Sequence, residues 1–267
     1  MKILPLNNPF GAPVYHEESV SSTMDTARDL ARKQAPHGTV ITVDFQEAGR
    51  GRSGRSWITD PGKNLLFTIL LRYKDIQSIP AALTLRTGLA VSLAVEDLAP
   101  SLCGSVTVKW PNDIMIGSRK AAGILTESDG KAVCIGAGVN VFQREFPGEY
   151  RAKAVSLIQA FPGLIDNARF ILLEKILLRL YREIEKTREE SGSWQERLTR
   201  RLYKRGEPVT FVPGPVDSGS RVEGTLSGIG SNGELLIIPK GEDTERAFVT
   251  GELNFNLSLW LSHGSLA

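Results

Sequence analysis

The chain is poor in the residues that mark specialised classes of protein. Cysteine occurs only twice in 267 residues, as Cys103 and Cys134, each in apolar surroundings. That fits two buried reduced thiols better than a disulfide framework or a metal site. The three histidines, His16, His37 and His263, show no ligand spacing, so no structural zinc is expected. No run reaches the roughly eighteen apolar residues of a membrane span. Pro5, Asn7, Asn8 and Pro9 interrupt the start of the chain, which therefore cannot act as a signal-peptide core. These absences point to the cytoplasm and away from a membrane. Neither sign of charge dominates: 32 Lys and Arg face 30 Asp and Glu, for a net charge of +2. Such a balance does not by itself imply nucleic-acid or membrane binding. Internal repeats and low-complexity segments are missing as well.

What remains is an ordinary globular composition, 41% apolar and 23% charged. It suffices for one large domain, or one of about 200 residues with a small companion. Met24, Ala27, Leu30 and Ala31 recur at helical spacing, and Ser22 with Asp25 resembles a capping box, so a helix is predicted over 22–33. Thr39–Gln46 is β-branched and alternating, and 64–72 is apolar, which reads as strand, long loop, strand. Residues 81–98 suit a helix packed on a sheet. Short strands are expected at 105–110, 113–116, 121–128 and 131–141, with turns at Gly117-Ser118 and Asp129-Gly130. A second amphipathic helix spans 167–189, followed by a short one containing Trp194 and Leu198. Consecutive hairpins give an α+β class with a mixed or antiparallel sheet and packed helices. Beyond Arg205-Gly206 the runs 207–213, 221–229, 234–239 and 246–250 alternate with turn residues, as in a small all-β barrel.

Three segments stand out chemically. Gly49-Arg50-Gly51-Arg52-Ser53-Gly54-Arg55, followed by Ser56-Trp57, combines flexible backbone with forked donors for carboxylate or phosphate. It lacks P-loop spacing. From the residues alone, ligand binding, a solvated turn and an RGG-like nucleic-acid contact all stay open. Lys109-Trp110-Pro111-Asn112-Asp113 ends a strand at a proline, and Lys120 precedes the apolar run Ala121–Leu125. An Asn-Asp turn and an edge lysine kept for solubility are the plain alternatives. Gly136 and Gly138 lie within a strand, where glycine costs stability unless a ligand, a bulge or another element comes close.

In combination and order, Ser22-Thr23, Gln46 with GRGRSGRSW, KWPND, RKAAGILTE and GAGVNV resemble the catalytic domain of biotin protein ligases. Trp194, Gly206 to Val209, GIGSNGELL at 228–236 and TGEL at 250–253 resemble that family's C-terminal SH3-like barrel. The resemblance implies a class II aminoacyl-tRNA-synthetase-like fold over residues 1–203, the barrel over 204–256 and a tail over 257–267. It implies ATP and Mg²⁺, biotin as substrate, and a biotin carboxyl carrier domain as acceptor. Ser22, Thr23, Met24, Gln46, Gly49, Arg50, Gly51 and Arg52 would then line the biotin site, with Gly123, Gly136 and Gly138 as its wall. Arg52, Arg55, Trp57, Lys109, Asn112 and Asn140 would face the nucleotide, and Asp113 the metal. Lys120 would touch both biotin's carboxylate and the α-phosphate, making Lys120, Arg50 and Arg52 the catalytic set.

Two departures put contacts in doubt: many relatives carry Asn where this chain has Met24, and Ser where it has Thr68. Some relatives also carry an N-terminal winged helix-turn-helix. About twenty residues precede Ser22, too few for that domain, so a ligase without DNA binding is expected. Lipoate protein ligase is the nearest alternative, and a non-catalytic biotin- or RNA-binding module the more distant one. Monomer and homodimer are both compatible with the sequence.

Overall fold

Eight strands form one sheet in the order β1-β2-β3-β4-β8-β7-β6-β5. The computed structural model describes residues 1–186, 192–214 and 221–255. The strands are β1 (Lys2–Leu4), β2 (Val14–Val20), β3 (Thr39–Gln46), β4 (Leu65–Arg72), β5 (Val106–Lys109), β6 (Asp113–Ile116), β7 (Arg119–Ser128) and β8 (Ala132–Val139). Only β2 and β3 run parallel; every other neighbouring pair is antiparallel. The α+β class with a mixed sheet is thus observed.

Central β4, LLFTILLR, is buried along almost its whole length because both of its faces are covered. On one face α1 (Thr23–Arg32) lays Met24, Ala27 and Ala31 against Ile41, Leu70 and Cys134. On the other, α2 (Leu83–Leu98) and α4 (Ala168–Ile184) pack over Phe67, Ile69, Ile124 and Ile135. Helix α2 is buried nearly all round, which explains its lack of a polar face. The segment Ile76–Leu98 has the length and composition of a membrane span, but α2 is sandwiched between α4 and the sheet, as a core helix is. Gly88 permits that approach, since a Cβ there would lie 3.3 Å from Val108. Short α3 (Leu157–Ala160) and α5 (Trp194–Arg200) complete the helices.

Strands β9 (Pro208–Pro213), β10 (Val222–Ile229), β11 (Leu235–Pro239), β12 (Arg246–Phe248) and β13 (Gly251–Asn254) form a second, antiparallel sheet where the barrel is expected. Its apolar face is continuous with the main core. Trp110 donates from Nε1 to the Gly233 carbonyl at 3.0 Å and meets Phe211 edge-on, so the KWPND segment is also the joint between the two sheets.

Several expectations need correction. Ser22 is the N-cap of α1 but makes no side-chain capping bond, and the Asp25 carboxylate that would complete a capping box is engaged by Arg28 and Arg50 instead. Cys103 is exposed, on the loop between α2 and β5, and only Cys134 is buried, with its thiol pushed up to about 11 by desolvation. Helix α4 ends at Ile184, short of 189. Strand β7 starts at Arg119, so Lys120 lies within it, and of the run 246–250 only Arg246–Phe248 is strand, β13 beginning beyond it at Gly251. The tail at 257–267 lies outside the described residues.

Behind α2, Arg201 grips Glu96 with two bonds of 2.7 and 2.8 Å, and the same carboxylate accepts from Gly104 N–H. Glu96 is buried. Removing it leaves a partly buried guanidinium and the Gly104 N–H without their shared acceptor, so Glu96→Ala should cost about 2–3 kcal/mol. Urea unfolding monitored by circular dichroism should report that loss, while a change below about 0.5 kcal/mol would show that the pair is not a structural clamp.

Candidate active site

A cavity of about 550 Å³ opens over β7 and β8. It is walled by the first turn of α1, the glycine-arginine loop, the KWPND turn and the loop after β8. Every residue that the resemblance assigns to the biotin, nucleotide or metal site lines it except Gly49. Gly49 is buried beneath the rim, where its carbonyl accepts from Trp57 N–H at 2.9 Å and a Cβ would lie 2.9 Å from the Trp57 carbonyl oxygen.

One end of the cavity is a neutral hydrogen-bonding corner. Thr68 Oγ1 donates to Thr23 Oγ1 at 2.8 Å, and Thr23 donates from both its hydroxyl and its N–H to Gln46 Oε1 at 2.9 and 2.8 Å. With Oε1 taken twice, Gln46 offers a ligand its amide N–H. Ser22 and Met24 lie beside this corner, both buried. Met24 fills the space over Gly136, whose Cβ would sit 2.8 Å from its sulfur. The corner is therefore half polar and half thioether.

The middle of the cavity is built on two facing glycines. Gly123 of β7 and Gly138 of β8 are paired in register, and the indole of Trp57 lies on them. A Cβ at Gly138 would approach Trp57 Cε2 to 2.5 Å, and one at Gly123 would approach Cζ3 to 3.1 Å. Trp57 Nε1 is buried without a partner in the structure. Lys120 Nζ stands 5.3 Å from the ring centroid, within cation–π range.

The other end is charged. Lys120 pairs with Asp113 at 2.7 Å. Burial holds the Lys109 ammonium below its ordinary range, Asp113 opposing that effect and Lys120 adding to it. Asn112 donates to the Ile124 carbonyl at 2.8 Å and accepts a long 3.3 Å bond from Arg52. Asn140 donates to the carbonyls of Val155 at 3.2 Å and Lys120 at 3.4 Å, so its side chain braces the backbone behind Lys120.

Within the loop, Ser53 and Gly54 adopt left-handed backbone, with φ of 54° and 71°, as a sharp reversal requires. An Arg50↔Ser56 bridge closes the loop's neck. Arg50 is bound bidentately by Asp25, and Arg55 pairs with Glu252 of β13.

Sequence reasoning overlooked the far wall, where Phe146, Pro147, Tyr150 and Lys153 line the cavity. The signal was the aromatic and proline pair that follows GAGVNV. Backbone bonds from Lys120 N to Lys153 O and from Val155 N to Lys120 O, 2.8 and 3.0 Å, dock this wall onto β7. Glu252, from β13, was likewise missed as a lining residue. Among the described residues no cluster of three His, Cys, Asp or Glu could cage a metal. Asp113, Asn112 and Glu252 offer oxygen donors at the charged end.

Residues 17–140 match the Biotin/lipoate A/B protein ligase family. The chain is 40% identical over 166 residues to the Bifunctional ligase/repressor BirA of Bacillus subtilis, a match covering 59% of this chain and 50% of that protein. It therefore spans about half the length of the Bacillus relatives. It is 30% identical to the Biotin--[acetyl-CoA-carboxylase] ligase of Paracoccus denitrificans, over 72% of this chain and 80% of the relative. Among solved structures, the biotin protein ligase from Aquifex aeolicus in complex with biotin and ATP superposes with a TM-score of 0.75 at 28% identity, covering 90% of this chain and 97% of that one. A shared fold, a shared order of motifs and a relative matched over most of its length place the chain in one family: it belongs to the biotin protein ligases.

Proposed function

We propose that this chain is an ATP-dependent ligase that forms biotinyl-5'-AMP and transfers biotin to a lysine of a biotin carboxyl carrier domain. The observation that carries this reading is one continuous cavity with a neutral hydrogen-bonding corner at one end and clustered cations at the other. Biotin would place its ureido ring against Thr23, Thr68 and Gln46 and its carboxylate toward Lys120. The nucleotide would lie along Trp57, Asn112 and Lys109. The Aquifex ligase, solved with biotin and ATP, supports the same pairing of substrates.

In the first half-reaction a biotin carboxylate oxygen attacks the α-phosphate, and the bond to pyrophosphate breaks. Two anions must meet, so Lys120 and Arg52 lower the barrier by neutralising both and holding them in line. Magnesium held by one or two carboxylates and substrate phosphates suits a site with Asp113 and no cage; when bound it shields the charge of the departing pyrophosphate. In the second half-reaction a neutral lysine amine attacks the mixed anhydride and AMP leaves. Here the loop's task is to keep water away.

The likeness of 206–254 to the barrel of the family suggests that residues 1–203 are the ligase portion and 204–256 an SH3-like barrel. We also propose a cytoplasmic enzyme that acts without nucleic acid or a membrane.

Biotin-dependent ATP–pyrophosphate exchange in the presence of Mg²⁺ tests the reading directly. Exchange with biotin and none with lipoate is expected; exchange with lipoate alone would move the chain to the sister enzymes, and none with either would overturn adenylation. Lys120→Ala should slow the first step by roughly 3–4 kcal/mol, comparable to losing an oxyanion donor. A single-turnover rate within threefold of wild type would refute that role. Gly138→Ala should push the indole off the strand and raise the KM for ATP more than that for biotin; unchanged constants would remove Trp57 from the nucleotide site.

A further inference from the structure

The three loop arginines are held differently. Among the described residues Arg52 makes only the long contact to Asn112, and Arg55 pairs with half-buried Glu252 on β13, the strand next to β9 at one end of the second sheet. Arg50, the first, is gripped at both guanidinium nitrogens by Asp25, at 2.9 and 2.8 Å. The same carboxylate also binds Arg28 one helical turn on, and Arg28 reaches across to Glu127 of β7. Four alternating charges therefore run from β7 through α1 to the neck of the loop. Arg50 lines the cavity, whereas Asp25, Arg28 and Glu127 do not.

We propose that Asp25 is a positioning residue of the biotin site: it touches no substrate, and it fixes Arg50 so that the loop keeps its path across the cavity. The inference rests on the ligase reading for its kinetic consequence, but the fastening itself does not. Two arginines converge on one carboxylate, so a neutral residue at position 25 leaves two like charges facing each other with no anion between them. A bidentate fork in a network is the geometry in which a partly exposed pair matters. Hydrogen bonds from Arg50 hold the Asp25 carboxyl below its ordinary range, so the fastening persists at neutral pH. The loop's glycines have no conformational preference of their own to offer in its place.

The test compares wild type, Asp25→Asn and Asp25→Glu. Limited trypsin digestion followed by mass spectrometry reads cleavage after Arg50, Arg52 and Arg55, and biotin-dependent pyrophosphate exchange reads KM and kcat. Asp25→Asn should raise loop cleavage and the KM for biotin about fivefold each, with kcat within about twofold and the melting temperature unchanged. Asp25→Glu should restore both toward wild type. Equal loop cleavage in wild type and Asp25→Asn would overturn the proposal, as would faster cleavage throughout the chain with a lowered melting temperature. A wild-type protein showing no exchange would defeat the ligase reading alone, because the cleavage comparison still decides whether Asp25 fastens the loop.

Discussion

The pairing of β7 with β8 is the constraint from which the site follows. It sets Gly123 opposite Gly138, giving the Trp57 indole bare backbone to lie on. Two residues back along β8, on the same face, Gly136 admits the Met24 thioether and is paired with Thr68 of β4. Three residues back along β7, past an irregularity in its pairing with β6 that shifts the alternation by one residue, stands Lys120. The indole floor and the thioether side of the neutral corner are thus placed by β8 and its two neighbouring strands. A slip of one residue would set side chains where the indole and thioether now fit, since alternate residues face opposite sides of a strand.

Much of this was legible in the sequence, and the failures have physical causes. Strand β3 matches its predicted limits because β-branched residues alternate through it without interruption. Strand β2 went unread because its second half, Glu17 to Val20, is polar and half exposed, and three-residue β1 is too short to carry a period. The misread capping box at Ser22 fails on its Asp25 half because that carboxylate is taken by Arg28, one turn along the helix, and by Arg50 of the loop. The glycines 123, 136 and 138 were recognisable as a wall, but which side chains they make room for depends on contacts between residues more than sixty positions apart.

A net charge near zero conceals strong local compensation. Lys120, Arg50 and Arg55 each face a carboxylate, from Asp113, Asp25 and Glu252. An incoming anion therefore competes with internal partners, and the energetic gain of binding it is a difference between two ion pairs rather than the capture of a bare charge. Lys109 is the contrasting case, for burial disfavours its charged form and an anion beside it would restore that form.

The two edges of the large sheet are finished differently. Alongside β5, Val108 exchanges bonds with the chain leaving α5, from its N–H to Arg201 O at 2.8 Å and to its carbonyl from Tyr203 N–H at 2.9 Å. At the opposite edge β1 covers only Val14 to His16 of β2, and the uncovered stretch begins with Glu17 and Glu18. A stray extended peptide would find few aligned backbone groups at either border, and two carboxylates at the more open one. Misassembly through strand addition at these two borders of the large sheet is thereby discouraged.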